Sequence, residues 1–293
     1  MAASAAVRNF SQRRPTLKIK ETATIVSQKE ISEGIFDLVL ETPSIAGEAK
    51  AGQFVDLYSN DKSRLLPRPI SLCGIDAEKK QLRLVYRAGG KGTVEFSGMK
   101  QGETIDILGP LGNGFPLEEA AGKNVYLIGG GIGVPPMLET AAQLFDAAAL
   151  TAQPSADEEA AVSTAPTKIV SVLGYRSDCF LKTEFDRYGE TLVATEDGSS
   201  GAKGTVLDAI AEDGRTPEVI FACGPKPMLR ALKAYAVEKN IPCYVSMEER
   251  MACGIGACLA CVCQSTEVDG HSHVHNKRVC KDGPVFECRE IEL

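Results

Sequence analysis

Histidine is scarce in this chain, which limits the kinds of catalysis that it can perform. The only histidines, His271, His273 and His275, alternate in one polar stretch near the carboxyl end. Serine–histidine and cysteine–histidine catalysis both need a base beside the nucleophile, and the rest of the chain offers no histidine for that role. A His-x-His-x-His run can bind metal adventitiously, but a solvated hairpin tip is the favoured interpretation.

Long apolar runs and an excess of basic residues are also missing. No stretch reaches the roughly 20 apolar residues of a membrane span, so contact with a membrane is expected only through another protein. The net charge is -7 and the isoelectric point is near 5.2. Nucleic acid is therefore not expected as the main partner, because binding phosphates needs a concentrated basic face.

The cysteines indicate a reducing compartment. Four of the ten cysteines fall between Cys253 and Cys263, and we recognise no signal peptide. This clustering favours cofactor ligation in the cytoplasm over a secreted disulfide framework. Residues 1–15 contain three arginines and no acidic side chain. They are predicted to be a disordered tail rather than a transit peptide.

The spacing of the clustered cysteines is the most specific signal in the sequence. Cys253, Cys258 and Cys261 form a C-x4-C-x2-C pattern, and Cys280 follows at a distance. Plant-type ferredoxins hold a 2Fe-2S cluster with this spacing. Gly254 and Gly256 suit a loop that must wrap closely around an inorganic core. Structural zinc and a set of buried thiols remain as alternatives, although zinc sites favour paired C-x2-C units.

The hydrophobic pattern divides the chain into two main parts. Residues 22–26, 35–40, 54–58, 82–86 and 104–108 read as half-buried strands and predict a small antiparallel β-barrel over residues 16–117. From residue 118 to 246, five predicted strands alternate with helices over 137–149, 206–212 and 226–238. Such alternation predicts a doubly wound α/β domain. Residues 147–167 are expected to be a flexible insertion, and residues 247–293 a cluster-binding segment that depends partly on metal ligation. The predicted fold class is thus α+β and multidomain.

Two motifs in the barrel region contain groups that can bind phosphate. In Arg68-Pro69-Ile70-Ser71, the arginine can fork onto a diphosphate and the serine can donate to a ring nitrogen; a surface arginine beside a turn proline is equally compatible. After Val85-Tyr86-Arg87, a glycine-rich turn leads to Gly92 and Thr93. This turn could cradle a phosphate or simply close a hairpin.

Two further turns follow strands of the α/β region. Gly129, Gly130, Gly131 and Gly133 come directly after an apolar strand and place a helix N-terminus against an anion, although they depart from G-x-G-x-x-G. Cys223 and Gly224 follow a later strand, where loops line the ligand crevice of an open sheet. Cys223 could equally be a small buried thiol. Arg176, after the second strand, is either a cofactor contact or a solvated loop charge.

In this order the segments resemble the ferredoxin-NADP reductase superfamily over nearly the whole chain. The sequence 246–263 is similar to the electron-transfer subunits of class 1B dihydroorotate dehydrogenases. The resemblance implies a set of flavin contacts, namely Arg68, Pro69, Ile70, Ser71, Val85, Tyr86, Arg87, Gly92 and Thr93. It implies Cys253, Cys258, Cys261 and Cys280 as cluster ligands, with Cys288 as the fallback for Cys280. NAD is expected to dock over Gly129, Gly130, Gly131, Gly133, Cys223 and Gly224.

The resemblance also implies a route for electrons in pyrimidine (UMP) biosynthesis. Dihydroorotate would reduce FMN in a separate catalytic subunit, and the electrons would pass through the 2Fe-2S cluster and FAD of this chain to NAD+. Flavin belongs between the other two carriers because it exchanges either one or two electrons. The family pairs two of these subunits with two catalytic ones, so a heterotetramer is expected.

Two other functions remain open at this point. The layout is shared with the small subunits of NADH-dependent ferredoxin-NADP reductases and of sulfhydrogenases. A different class of hypothesis is a regulatory module without catalysis, in which the cysteines hold structural zinc. The preference for NAD over NADP rests on the resemblance alone, since no acidic residue after the second strand is clearly placed for a ribose hydroxyl.

Overall fold

The computed structural model describes residues 17–151, 165–268 and 273–293. The predicted tail, residues 152–164 of the predicted insertion and His271 lie outside these ranges. None of the helices in the described ranges combines the length and the apolar character that crossing a bilayer requires.

The first half of the chain forms a closed antiparallel barrel with the strand order β1-β2-β5-β4-β3-β6. The strands are β1 (Ile19–Ser32), β2 (Ile35–Glu41), β3 (Phe54–Leu57), β4 (Arg68–Asp76), β5 (Gln81–Arg87) and β6 (Thr104–Leu111). Alternate side chains such as Val55, Leu57 and Leu84 fill its interior, as the period of two requires. The barrel prediction is confirmed, but the five predicted strands leave out β4, since Pro69 and Gly74 interrupt its apolar pattern.

The second half builds a sheet with the order β10-β9-β8-β7-β11-β12-β15. Its parallel strands are β7 (Asn124–Gly130), β8 (Lys168–Tyr175), β9 (Glu190–Thr195), β10 (Ala202–Lys203), β11 (Val219–Cys223) and β12 (Cys243–Ser246). The helices between them are α2 (Val134–Thr151), α3 (Lys182–Phe185), α4 (Val206–Asp213) and α5 (Lys226–Lys239). Side chains of α2 pack on one face of the sheet and those of α4 and α5 on the other. The prediction of a doubly wound domain is confirmed.

The carboxyl-terminal segment joins both halves. It contains β13 (Val262–Gln264), β14 (Asn276–Arg278), α6 (Val279–Asp282) and β15 (Val285–Glu287). Strand β15 pairs antiparallel with β12 and so extends the α/β sheet. Asn113, just after β6, donates from its backbone N to Gly283 O (2.8 Å) and from Nδ2 to Val285 O (2.8 Å). The segment is therefore fixed to barrel and sheet alike, and the boundary at 246/247 stays a prediction.

Charged and polar contacts tie the barrel to the α/β half. Arg83 on β5 forks onto Asp37 of β2, with both N–O distances at 2.9 Å, and its Nη2 also donates to Glu184 Oε1 of α3 at 2.9 Å. Since a guanidinium offers five donors in a fixed plane, one arginine can serve both carboxylates.

A buried carboxylate lies in the same junction. Glu139 on α2 accepts hydrogen bonds from Ile75 N (2.9 Å) and from Gln143 Nε2 (2.7 Å). Burial outweighs these two bonds and raises the pKa of Glu139 to about 7. The folded chain consequently holds a proton at this site that the unfolded chain releases at lower pH.

We expect Glu139→Gln to be more stable than the wild type at pH 8 by a larger margin than at pH 5. A carboxyl group whose pKa is raised on folding contributes less to the free energy of unfolding as the pH rises from 4.5 to about 7. The amide is neutral throughout, and rotation of the Gln143 amide keeps both hydrogen bonds. In urea denaturation the variant should gain roughly 1 to 3 kcal/mol over the wild type between pH 5 and pH 8. Glu33→Gln, at an exposed turn, is the control, and a gain of equal size there would contradict the account.

Candidate functional site

The four cysteines singled out by their spacing lie together as two pairs of thiols. The Sγ atoms of Cys253 and Cys258 are 3.3 Å apart, and those of Cys261 and Cys280 are also 3.3 Å apart. The first pair is half-buried and the second is buried. Cys258 N donates to Cys253 Sγ (3.4 Å). The loop between β12 and β13 supplies three thiols, and α6 supplies the fourth.

The glycines of this loop have a steric purpose. Gly254 and Gly256 have positive φ angles of 65° and 82°, a region that favours glycine. A Cβ on Gly254 would collide with Asp56 Oδ2 of the barrel, and a Cβ on Gly256 would lie 2.6 Å from Lys281 Cδ. The loop can therefore pack against the barrel and α6 only with glycine at both positions.

The donor set fits a binuclear cluster better than a single metal ion. Each iron of a 2Fe-2S cluster takes two protein thiolates, which is the arrangement of the two pairs. Among the described residues, no three Cys, His, Asp or Glu side chains converge where one ion could be held. Burial opposes ionisation of Cys253, but N–H groups led by that of Cys258 lower its pKa to about 6. A thiol that ionises this readily is suited to bind metal.

The fallback ligand Cys288 lies elsewhere. Its Sγ donates to Glu287 Oε1 (3.7 Å), and Cys243 on β12, the cysteine nearby, lowers the pKa of its thiol. Cys263 is buried on β13, two residues beyond Cys261. Cys280 is thus the cysteine that the structure brings to Cys261.

Asp56 on β3 is the residue of this region that sequence reasoning missed. Its side chain is fully buried, and neither carboxylate oxygen has a hydrogen-bond partner among the described residues. Burial, followed by the charge of Cys253, raises the pKa of Asp56 to about 7. In the β3–β4 pairing, Asp56 is opposite Pro69 of the neighbouring strand β4. A buried carboxyl group with no partner is costly and marks the junction between the cysteine loop and the strand with the predicted flavin contacts. In the sequence, Asp56 looks like an ordinary polar residue of an alternating strand, so nothing nearby indicates that it is buried against the cysteine loop.

The predicted flavin residues of β4 and of the glycine turn lie against each other. Arg68 begins β4. A Cβ on Gly92 would lie 2.6 Å from Arg68 Nε, so position 92 must be glycine for the turn to approach the arginine. Helix α1 (Lys91–Ser97) starts directly after the turn. Thr93 Oγ1 accepts from Gly90 N at 3.0 Å. This cradle of cation, backbone and hydroxyl fits a diphosphate.

The predicted residues of β5 point in alternating directions. Tyr86 is buried inside the barrel and donates its hydroxyl hydrogen to Gln28 Oε1 (3.0 Å). Val85 packs instead towards the α/β half, and Arg87 is exposed. Any contact of Tyr86 with a cofactor would therefore come from its backbone.

The two turns predicted to bind a dinucleotide meet at the carboxyl edge of the sheet. Gly129 of β7 pairs with Cys223 of β11. A Cβ on Gly133 would collide with Cys223 O, and a Cβ on Gly130 with Met228 Sδ. Ligands of open α/β sheets bind at this edge. Cys223 is fully buried there, and burial raises the pKa of its thiol well above the usual range. Arg176 is exposed after β8.

The two described histidines lie at the β13–β14 hairpin. His275 Nδ1 is 3.1 Å from Ser265 O, and His273 is exposed with a φ of 58°. No described cysteine or carboxylate joins them in a metal-binding group.

Comparisons with known proteins address this arrangement directly. Residues 248–292 match the family model of the iron-sulfur cluster binding domain of dihydroorotate dehydrogenase B, and residues 127–234 match that of the oxidoreductase NAD-binding domain. The electron transfer subunit of dihydroorotate dehydrogenase B (NAD(+)) from Bacillus cereus (strain B4264) is 42% identical over 94% of this chain and 99% of its own length. The Bacillus anthracis (strain CDC 684 / NRRL 3495) subunit shows the same identity and coverage.

The chain is also similar to solved structures. An NADH-dependent reduced ferredoxin-NADP oxidoreductase, studied for flavin-based electron bifurcation, superposes with a TM-score of 0.77 and 30% identity, covering 92% of this chain and 89% of its own. A ferredoxin NADP+ reductase from Neisseria gonorrhoeae shares the fold, with a TM-score of 0.57 and 17% identity over 75% of this chain and 91% of its own. By sequence over nearly its full length, the chain belongs to the family of dihydroorotate dehydrogenase B (NAD(+)) electron transfer subunits.

Proposed function

We propose that this chain is the electron-transfer subunit of an NAD-dependent dihydroorotate dehydrogenase in pyrimidine biosynthesis. It would take electrons from the FMN of a catalytic subunit and deliver them through a 2Fe-2S cluster and FAD to NAD+. The two thiol pairs carry this proposal, together with 42% identity over 94% of the chain. When bound, the cluster exchanges single electrons, the nicotinamide exchanges hydride and the flavin exchanges either.

The cluster would be held by Cys253 and Cys258 on one side and by Cys261 and Cys280 on the other. The N–H groups around Cys253 keep its thiol easily ionised, and the position of Cys280, 3.3 Å from Cys261, supports it over Cys288 as the fourth ligand. A zinc-stabilised regulatory module is disfavoured, because residues 248–292 match the family model of an iron-sulfur cluster binding domain.

FAD would lie along the start of β4 and the glycine turn. The guanidinium of Arg68 would bind the diphosphate, and Pro69 would fix the backbone beside it. Ser71 would donate to the ring system, with Ile70 beside it. The remaining contacts would come from Val85, Tyr86, Arg87, Gly92 and Thr93, with Tyr86 contributing only its backbone.

NAD would dock at the carboxyl edge of the sheet. The packing of the first turn on the second holds their backbones close enough to contact a dinucleotide. The proposed contacts are Gly129, Gly130, Gly131, Gly133, Cys223 and Gly224. Because Cys223 is fully buried and its thiol pKa is raised, its role would be to shape the site rather than to react.

The catalytic subunit would dock over the cysteine loop. Three apolar side chains stand exposed here, Leu17 (68% exposed), Ile255 (41%) and Leu259 (71%), and Lys18 Nζ joins their two segments by donating to Ile255 O (3.0 Å). We call these three residues the cluster-loop surface. An apolar surface beside a redox centre suits a partner that exchanges electrons with it. We further propose an assembly of two plus two subunits in the cytoplasm.

One other function has a specific observation in its favour. The NADH-dependent reduced ferredoxin-NADP oxidoreductase structure covers 92% of this chain at 30% identity, so a reductase small subunit shares this architecture. The higher identity of 42% favours the dihydroorotate assignment.

An anaerobic pull-down of the tagged chain from its own cells tests the proposed function. The eluate should contain an FMN protein and should reduce NAD+ when dihydroorotate is added, forming orotate. If the eluate contains a different flavoprotein and does not oxidise dihydroorotate, the chain would instead be a reductase small subunit.

Cys280→Ser should abolish most of the iron-sulfur absorbance, whereas Cys288→Ser should retain it. The first substitution removes a thiolate from one of the two pairs, and serine is a poor ligand for iron. Iron and acid-labile sulfide, measured per bound FAD, check this while controlling for folding. Loss of the cluster in the Cys288 variant alone would reverse the assignment of the fourth ligand.

Leu259→Glu should weaken binding of the catalytic subunit by roughly tenfold or more, because it places a charge in an apolar contact. Val237→Glu on α5 is the matched control, since Val237 is also apolar and 49% exposed. Surface plasmon resonance with purified catalytic subunit measures both. Equal weakening by the two variants would show that the cluster-loop surface is not the docking site.

A further inference from the structure

A second pair of cysteines lies outside the proposed cluster site. Cys243 begins β12, and Cys288 follows β15. The antiparallel register ends with Tyr244 paired to Glu287. Cys243 and Cys288 are the next residues along the two segments, and Cys288 begins a short 3-10 helix there. Each thiol shifts the pKa of the other, that of Cys243 upwards and that of Cys288 downwards, so the two lie close together. Both side chains are fully buried under α5 in one apolar cluster.

We propose that Cys243 and Cys288 form an intramolecular disulfide when the chain is exposed to peroxide, and that this bond retains the cluster segment after the cluster is lost. Directly opposed positions on antiparallel strands have Cα separations of about 4.5 to 5.5 Å, within the range that a disulfide spans. Packing alone would not require the two buried cysteines of this cluster to lie next to each other.

The position of the pair in the chain gives the bond its consequence. Residues 244–287 include all four proposed cluster ligands. A bond between Cys243 and Cys288 closes this stretch into a loop, which lowers the entropy of its unfolded state. Metal ligation otherwise supplies much of the stability of such a short segment. The disulfide would hold β15 against β12 when that contribution is gone.

Burial sets the order of events. Both thiols are fully buried in the intact chain, and buried thiols react slowly. Loss of the cluster loosens the segment and admits the oxidant. The proposal uses the proposed cluster only for this order; the pairing of the two thiols stands without it.

The chemistry balances with one hydrogen peroxide for each bond. The Cys288 thiolate, whose pKa is lowered by the hydrogen bond from Cys243, attacks one peroxide oxygen and breaks the O–O bond. This gives a sulfenic acid, and the departing hydroxide takes a proton to become water. The Cys243 sulfur then attacks the Cys288 sulfur, forming the S–S bond and releasing a second water. Two thiols are oxidised by two electrons, and the peroxide is reduced by two.

Peptide mapping of the unaltered full-length chain tests the proposal. Anaerobically purified protein is treated with hydrogen peroxide, its visible absorbance is followed, and free thiols are alkylated before digestion without reductant. We expect the Cys243 and Cys288 peptides to be recovered linked, and only after the cluster absorbance has fallen. Recovery of both as alkylated thiols, separate over-oxidation of the two, linkage of either to one of the four proposed cluster ligands, or linkage before the absorbance falls would overturn the proposal.

Melting curves of the oxidised, cluster-free chain give a second test. Adding a reductant should lower the melting temperature of the wild type by roughly 5 °C or more. Cys243→Ala should remove this difference, while Cys179→Ser, at a half-buried cysteine with no cysteine partner, should keep it. A reductant effect that persists in Cys243→Ala would contradict the proposal. A chain purified without iron and sulfide would count against the proposed function instead, so the two failures are distinguishable.

Discussion

The position of the cysteine loop against the barrel is the constraint on which the rest of the structure depends. Two thiol pairs must be held against β3, the neighbour of the strand that carries the predicted flavin contacts, yet the loop is too short to form a core of its own. Close packing meets this requirement. Gly254 lies directly on Asp56 of β3, and Asn113 holds the chain around β15 with four hydrogen bonds. Substituting Gly254, Gly256 or Asn113 would move the thiols relative to the barrel rather than merely loosen a surface loop.

The shared sheet explains how one chain can order three carriers. Strand β15 of the cluster segment is an edge strand of the dinucleotide-binding sheet, while the arginine fork of Arg83 fixes that sheet to the barrel. Every pair of proposed sites is thus joined by ordered structure with hydrogen bonds across the boundary.

Local patterns predicted most of the fold, and long-range contacts account for what was missed. The C-x4-C-x2-C spacing singles out three cysteines as proposed ligands because they share one loop, whereas preferring Cys280 to Cys288 needs the tertiary structure that brings α6 to Cys261. Strand β4 was missed because Pro69 and Gly74 break its pattern. The inward direction of Tyr86 depends on strand phase. The carboxylate of Asp56, which has no hydrogen-bond partner among the described residues, depends on a loop almost 200 residues away. Neither leaves a signal in neighbouring residues.

Anaerobic titration of the isolated chain with NADH, followed by visible absorbance and low-temperature electron paramagnetic resonance, tests the central claim most directly. The account predicts that the flavin absorbance falls and that one reduced 2Fe-2S centre per chain becomes detectable, since both carriers are held in one frame. A chain that loses its flavin absorbance but never shows the paramagnetic signal, or that contains zinc in place of iron, would contradict it.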